Sequence, residues 1–238
     1  MRHRTVADLM TRDVVRARCE TPFKELVRLL ADHDVTAVPV VDDLDRPLGV
    51  VSETDLLRKC SVQTDSVSRT PLPHPQEWER AKAQGVKAEE LMSAPAVCVH
   101  PEWTVAEAAR LMMLRSVKRL PVVDEAGRLK GIVSRGDLLR VFLRRDDAIR
   151  DEIAREVLQE TLRLAPSDVT VEVSEGRVTL HGSVTVNGLI PIIERLCRSV
   201  DGVVSVRAHI GYRVDESLAQ HGPGATPPAG ARPPERTR

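Results

Sequence analysis

The feature that most restricts this chain is an internal duplication at a constant offset of 82 residues. Gly49-Val-Val-Ser-Glu-Thr-Asp-Leu-Leu-Arg58 returns as Gly131-Ile-Val-Ser-Arg-Gly-Asp-Leu-Leu-Arg140. The same offset relates Leu9-Met10-Thr11 to Leu91-Met92-Ser93, Val15 to Val97 and Glu25 to Glu107. It also relates Val35-x-x-x-Pro39-Val-Val-Asp42 to Val117-x-x-x-Pro121-Val-Val-Asp124. A register kept without a gap means one supersecondary unit has been copied, and the two copies must pack as related modules.

Each copy predicts the order strand, helix, strand, strand, helix. An apolar strand (Val14-Val15, or Val97-Cys98-Val99) precedes a helix near Pro22–His33 or Thr104–Arg115. Leu and Met at helical spacing give each helix a core face, and Thr104 with Glu107 forms a capping box. Strands Ala37–Val41 and Leu48–Ser52, or Leu120–Val123 and Lys130–Ser134, are joined by the polar turns 42–46 and 124–128. The last helix begins after Ser52 or Ser134.

Composition narrows the class. Of 238 residues, 42% are hydrophobic but only 2% are aromatic, so aliphatic and Met packing must fill the core. No apolar run reaches the length of a membrane span. The charged start is unlike a signal region, which predicts a cytoplasmic protein. Cys19, Cys60, Cys98 and Cys197 lack C-x-x-C spacing and read as buried free thiols. The formal net charge of +0 argues against a general polyanion binder, and the shortage of stacking aromatics argues against nucleic acid. The charge is uneven, however. Residues 29–63 hold three Lys/Arg against seven Asp/Glu, whereas residues 111–145 hold nine against three.

The combination apolar-Pro-Val-Val-Asp with Gly-apolar-Val-Ser-x-x-Asp resembles the CBS domain, and two in tandem resemble a CBS pair, or Bateman module. The resemblance implies sheets packed around a cleft that takes an adenosyl ligand: AMP, ADP, ATP or S-adenosylmethionine. It also implies a homodimer formed through helices. Beyond residue 145 the pattern changes. An amphipathic helix over 148–163 leads to strands 169–173 and 178–184, a helix over 188–199 and a strand over 203–212. Gly176-x-Val178-x-Leu180-x-Gly182-x-Val184 and Val200-Asp-Gly-Val-Val-x-Val206 resemble the BON domain. Such domains are mostly exported and are proposed to bind phospholipid surfaces. The reading is thus a mixed α/β (α+β) chain: a first CBS domain at 1–60, a linker at 61–86, a second CBS domain at 87–146, a small α/β BON domain at 147–214, and a disordered tail at 215–238. In the linker, Trp78 reads as a packing anchor.

Candidate ligand residues follow the repeat. Ser52/Asp55 and Ser134/Asp137 are helix capping boxes by spacing alone. The same geometry also aims a hydroxyl and a helix N-terminus at a phosphate and a carboxylate at ribose hydroxyls. The steps Thr36-Ala37-Val38-Pro39 and Lys118-Arg119-Leu120-Pro121 complete the set. By the resemblance, the basic residue before the apolar-Pro step meets phosphate, which assigns Arg119, whose planar fork suits phosphate oxygens. The positive surplus around it predicts one principal site, at Arg119, Ser134 and Asp137, with the Asp55 half secondary. No catalytic constellation emerges: the seven His show no metal-ligand spacing, and neither a Walker loop nor Gly-x-Ser-x-Gly is present. The chain therefore reads as a non-enzymatic sensor whose BON domain relays or localises the response. The alternative is a BON-led adaptor on a phospholipid surface or protein partner, with the pair as dimer scaffold.

Overall fold

The computed structural model describes residues 4–62 and 85–214. Trp78 and the tail at 215–238 lie outside them. The chain divides between Leu143 and Arg144 into two compact units, each described here by itself.

In the N-terminal unit the 82-residue register governs the pairing. Strand β2 (Ala37–Val41) pairs antiparallel with β3 (Pro47–Ser52), and β4 (Arg119–Val123) pairs with β5 (Leu129–Ser134). Both pairs slip register at the same place, between Val40 and Val41 and between Val122 and Val123. All five residues of β2 are buried, as its unbroken apolar run requires of a strand covered on both faces. The first strand of each repeat starts later than the sequence predicts. Strand β1 is Ala17–Arg18, pairing parallel with Val40 and Val41, and its counterpart is a single bridge from Val99 to Val122. Val14 and Val15 line a cavity instead.

The helices obey their spacing. The helix Phe23–Asp32 buries Leu26 and Leu30. The helix Val105–Leu114 buries Ala108 and Met112 and starts at a capping box. There Thr104 N–H donates to the Glu107 carboxylate at 2.8 Å, and Glu107 N–H donates to Thr104 Oγ1 at 3.3 Å.

The repeats exchange their leading segments. Val6 and Met10, from the turn of helix Val6–Leu9, pack with Val99, Met112, Leu120 and Val133 of the second repeat. Ala88 and Leu91 pack with Ala17, Leu26, Val38 and Val51 of the first. Reciprocal backbone bonds fix the exchange: Thr11 and Ile132 bond both ways at 2.9 Å, and Ser93 and Val50 at 2.8 and 3.1 Å. A glycine permits each close approach. A Cβ on Gly131 would stand 2.6 Å from Met10 Sδ, and one on Gly49 would stand 2.6 Å from Met92 Sδ. The contiguous stretches 1–60 and 87–146 therefore do not bound the two cores. Each core contains a segment of the other stretch.

The C-terminal unit begins with α-helix Asp146–Glu152, which continues as a π-helix, Ile153–Thr161, where the sequence predicts one α-helix over 148–163. Ile149, Ile153, Val157 and Leu158 are buried against a three-stranded sheet. Strands Val169–Ser174 and Arg177–Val186 form a hairpin, and Ser205–Val214 pairs parallel with the second of them. The two-residue turn Glu175-Gly176 has φ of 51° and 71°, as a primed turn needs. Both its N–H groups donate to the Asp146 carboxylate, at 2.7 and 2.8 Å. The helix Leu189–Arg198 carries Pro191 in its first turn, where no N–H is missed.

Candidate functional site

Two cavities open between the repeats, and each sits beside one Ser/Asp pair. The larger, about 370 Å³, is walled by residues 50 and 52–55 and by Arg58, by 93 and 95–97, and by 116–119. The smaller, about 220 Å³, is walled by 11 and 13–15, by 34–37, and by Arg119, Ile132, Ser134 and Asp137. Thr36, Ala37 and Arg119 belong to both. Roughly 300 Å³ is the lower end for small-molecule sites, so the larger cavity is the better sized.

The Ser/Asp pairs are capping boxes in both repeats. Ser52 N–H and Oγ–H donate to Asp55 Oδ2 at 3.0 and 2.6 Å. Ser134 N–H and Oγ–H donate to Asp137 Oδ2 at 2.9 and 2.6 Å. The cap occupies one carboxylate oxygen and leaves Oδ1 for other partners. Here the copies part. Asp55 Oδ1 accepts from Ser93 Oγ at 3.3 Å and faces Arg58 at 3.5 Å, and Asp55 is only 5% exposed. Asp137 Oδ1 faces Arg140 at 3.5 Å, and that Arg side chain is 67% exposed. Asp55 is thus the more firmly positioned carboxylate.

The expected residues distribute as follows. Ser52, Asp55 and Lys118 line the larger cavity, Ser134 and Asp137 the smaller, and Thr36, Ala37 and Arg119 both. Val38, Pro39, Leu120 and Pro121 line neither. They are buried within β2 and β4, with Val38 and Leu120 at 0% exposure in the repeat cores. Their backbones hold the cavity-facing steps in place.

Lys118 lines the larger cavity together with Ser52 and Asp55 of the other repeat, and not the smaller one beside Ser134 and Asp137. A window of sequence charge therefore misreports the charge around each cavity, because each cavity takes walls from both repeats. Asp13, Asp34, Glu53, Arg58 and Ser93 also line the cavities, although the sequence does not mark them as candidates. The exchange of leading segments places Asp13 and Ser93, and only the duplication register hints at it. Burial pulls the Arg119 guanidinium below its ordinary pKa, opposed by the Glu53 and Asp137 carboxylates on either side.

Among the described residues no group of three or more His, Cys, Asp or Glu could hold a metal ion. No described helix is long and apolar enough to cross a membrane.

Comparison with known proteins gives concordant findings. The CBS domain family model matches residues 6–61 and 88–144, and the BON domain model matches 145–213. A CBS domain-containing protein of Dictyostelium discoideum is 30% identical over 139 residues, which cover 58% of this chain and 91% of that protein. The chloroplastic CBS domain-containing protein CBSX2 of Arabidopsis thaliana is 32% identical over 58% of this chain and 63% of its own length. An uncharacterized protein of Methanopyrus kandleri is 31% identical over 59% of this chain, and the match spans 64% of that protein. The solved structure of CBSX2 in complex with AMP aligns with a TM-score of 0.50 at 31% identity, covering 59% of this chain and 97% of that one.

Proposed function

Since the chain belongs to the CBS-domain family, as a tandem pair followed by a BON domain, we propose that it is a regulatory sensor that binds an adenosyl ligand between its repeats. The observation that carries this reading is the larger cavity. It joins a buried Asp55, held through Oδ2 by Ser52, to the basic step Lys118-Arg119 across the repeat boundary. A carboxylate so held suits ribose hydroxyls, and the opposite cations suit phosphate oxygens. The related CBSX2 structure holds AMP, which supports an adenine nucleotide over an unrelated ligand. With so few aromatics, the base lies against aliphatic wall residues such as Val50 and Val97.

The protein acts without catalysis of its own. Ligand binding biases the pair, and the BON domain relays or localises the response from the cytoplasm to a protein or phospholipid partner. The pair associates as a homodimer, because the exposed Met113, Leu114, Leu139 and Leu143 offer apolar area that one chain leaves uncovered. Calorimetric titration of the full chain with AMP, ADP, ATP and S-adenosylmethionine tests the reading. Saturable binding of at least one supports it. Absence of binding by all four overturns it and leaves the pair a scaffold.

A further inference from the structure

The two cavities are related by the duplication, so each wall position of the smaller has a counterpart 82 residues away in the larger. Comparing counterparts isolates what divergence has changed. Where the larger cavity has Pro95 and Ser116, the smaller has Asp13 and Asp34. Where the larger has Lys118, the smaller has Thr36, while Arg119 and Ala37 line both. Each of these three differences moves charge in the same direction. Among the described residues the larger cavity presents Arg58, Lys118 and Arg119 against Glu53 and Asp55. The smaller presents Arg119 alone against Asp13, Asp34 and Asp137.

We infer that the cavities sort ligands by charge: the phosphate-bearing adenosyl ligand enters only the Asp55 cavity, one per chain, and the Asp137 cavity rejects it. This rests on the adenosyl-ligand reading above and adds which half binds and what the ligand must carry. The physical reason is direct. A phosphate brought between Asp13, Asp34 and Asp137 loses water and meets like charges, and both cost free energy. The same phosphate beside Lys118 and Arg119 gains charge-assisted hydrogen bonds. The backbone is no obstacle to this divergence. Asp34 and Ser116 hold the same left-handed conformation, with φ of 51° and 53°, so only the side chain differs. Arg119 lines both cavities, so a phosphate that draws its guanidinium into the larger one leaves the smaller with no cation among its described lining residues, Arg140 remaining paired to Asp137 from outside that wall.

The test is calorimetry on the full chain with AMP and with adenosine, its uncharged twin, for the natural protein and two surface-tolerant variants. Lys118→Glu acts on the larger cavity and Asp34→Asn on the smaller. The natural chain is expected to bind one AMP and to prefer it over adenosine. Lys118→Glu should weaken AMP by roughly tenfold or more, the worth of one charged contact, while adenosine changes less than about twofold. A stoichiometry of two AMP, equal affinity for AMP and adenosine, or binding of adenosine without AMP overturns the inference while the adenosyl reading stands. So does AMP tightening in Asp34→Asn with Lys118→Glu silent, which places the phosphate in the smaller cavity. Failure of both compounds to bind the natural chain overturns the adenine-nucleotide reading and this inference with it.

Discussion

Adding one methyl group to Gly49 tests both the exchanged segments and the location of the site. In Gly49→Ala the new Cβ would lie 2.6 Å from Met92 Sδ, 2.9 Å from Met92 Cγ and 2.9 Å from Ser93 O. The Met side chain can swing aside. The Ser93 carbonyl cannot, because it accepts a hydrogen bond from Val50 N–H at 3.1 Å, and Ser93 N–H returns one at 2.8 Å. The segment must shift by several tenths of an ångström, and overpacking of this kind costs about 1–3 kcal/mol. At this chain length each kcal/mol lowers Tm by roughly 2–4 °C. Gly131→Ala meets the same obstruction, at 2.6 Å from Met10 Sδ and 3.0 Å from Thr11 O, and should lower Tm comparably. The two variants should differ in ligand binding. Ser93 carries the hydroxyl that bonds Asp55 and leads into the wall at 95–97. Its displacement in Gly49→Ala should weaken AMP by several-fold, since one hydrogen bond is worth about 0.5–1.5 kcal/mol. Gly131→Ala disturbs only the wall of the smaller cavity and should leave AMP within about twofold. Thermal melts and AMP titrations of both variants decide the matter. If neither variant loses Tm, the segments are not exchanged as described. If Gly131→Ala alone weakens AMP, the site is in the other half.

Three further expectations follow from the structure. Asp146→Ala strips the acceptor from both N–H groups of the turn Glu175-Gly176 and should destabilise the C-terminal unit by about 1–3 kcal/mol, read as a lower Tm; an unchanged melt would show that the turn stands without it. Burial pushes the Cys197 thiol from 9.0 up to about 12. The unfolded chain therefore ionises first, so the stability Cys197 contributes is intact below pH 9 and falls as pH rises from 9 towards 12. Peptide mapping after alkylation at pH 8 should find Cys197 unmodified until the protein is denatured, and rapid labelling of the folded chain would contradict its burial. Light scattering should return twice the 26.3 kDa chain mass, and a monomer at micromolar concentration would remove the homodimer from the account.

Much of the fold was legible because it is local or repeated. The helices at 23–32 and 105–114, the strand pairs and the hairpin at 169–186 follow from spacing and turn chemistry carried in adjacent residues. The Ser/Asp caps were legible for the same reason, since Ser52 and Asp55 are three residues apart. What escaped the sequence is what lies between distant segments. Val6 and Met10 look like the start of the first repeat and are core of the second. Lys118 sits sixteen residues before Ser134 yet lines the cavity of Asp55, so its charge counts toward the cavity of the other repeat. Asp13 and Asp34 carry no motif. They matter only because the fold sets them beside Asp137, where their charge opposes that of a phosphate.

Hydrogen–deuterium exchange of the full chain with and without saturating AMP tests the central claim most directly, because it reports where the ligand orders the backbone. The account predicts slowed exchange at residues 50–58, 93–97 and 116–119, which wall the Asp55 cavity, with residues 11–15 and 132–137 unchanged. Slowing centred on 11–15 and 132–137, or no slowing in either set, would contradict it.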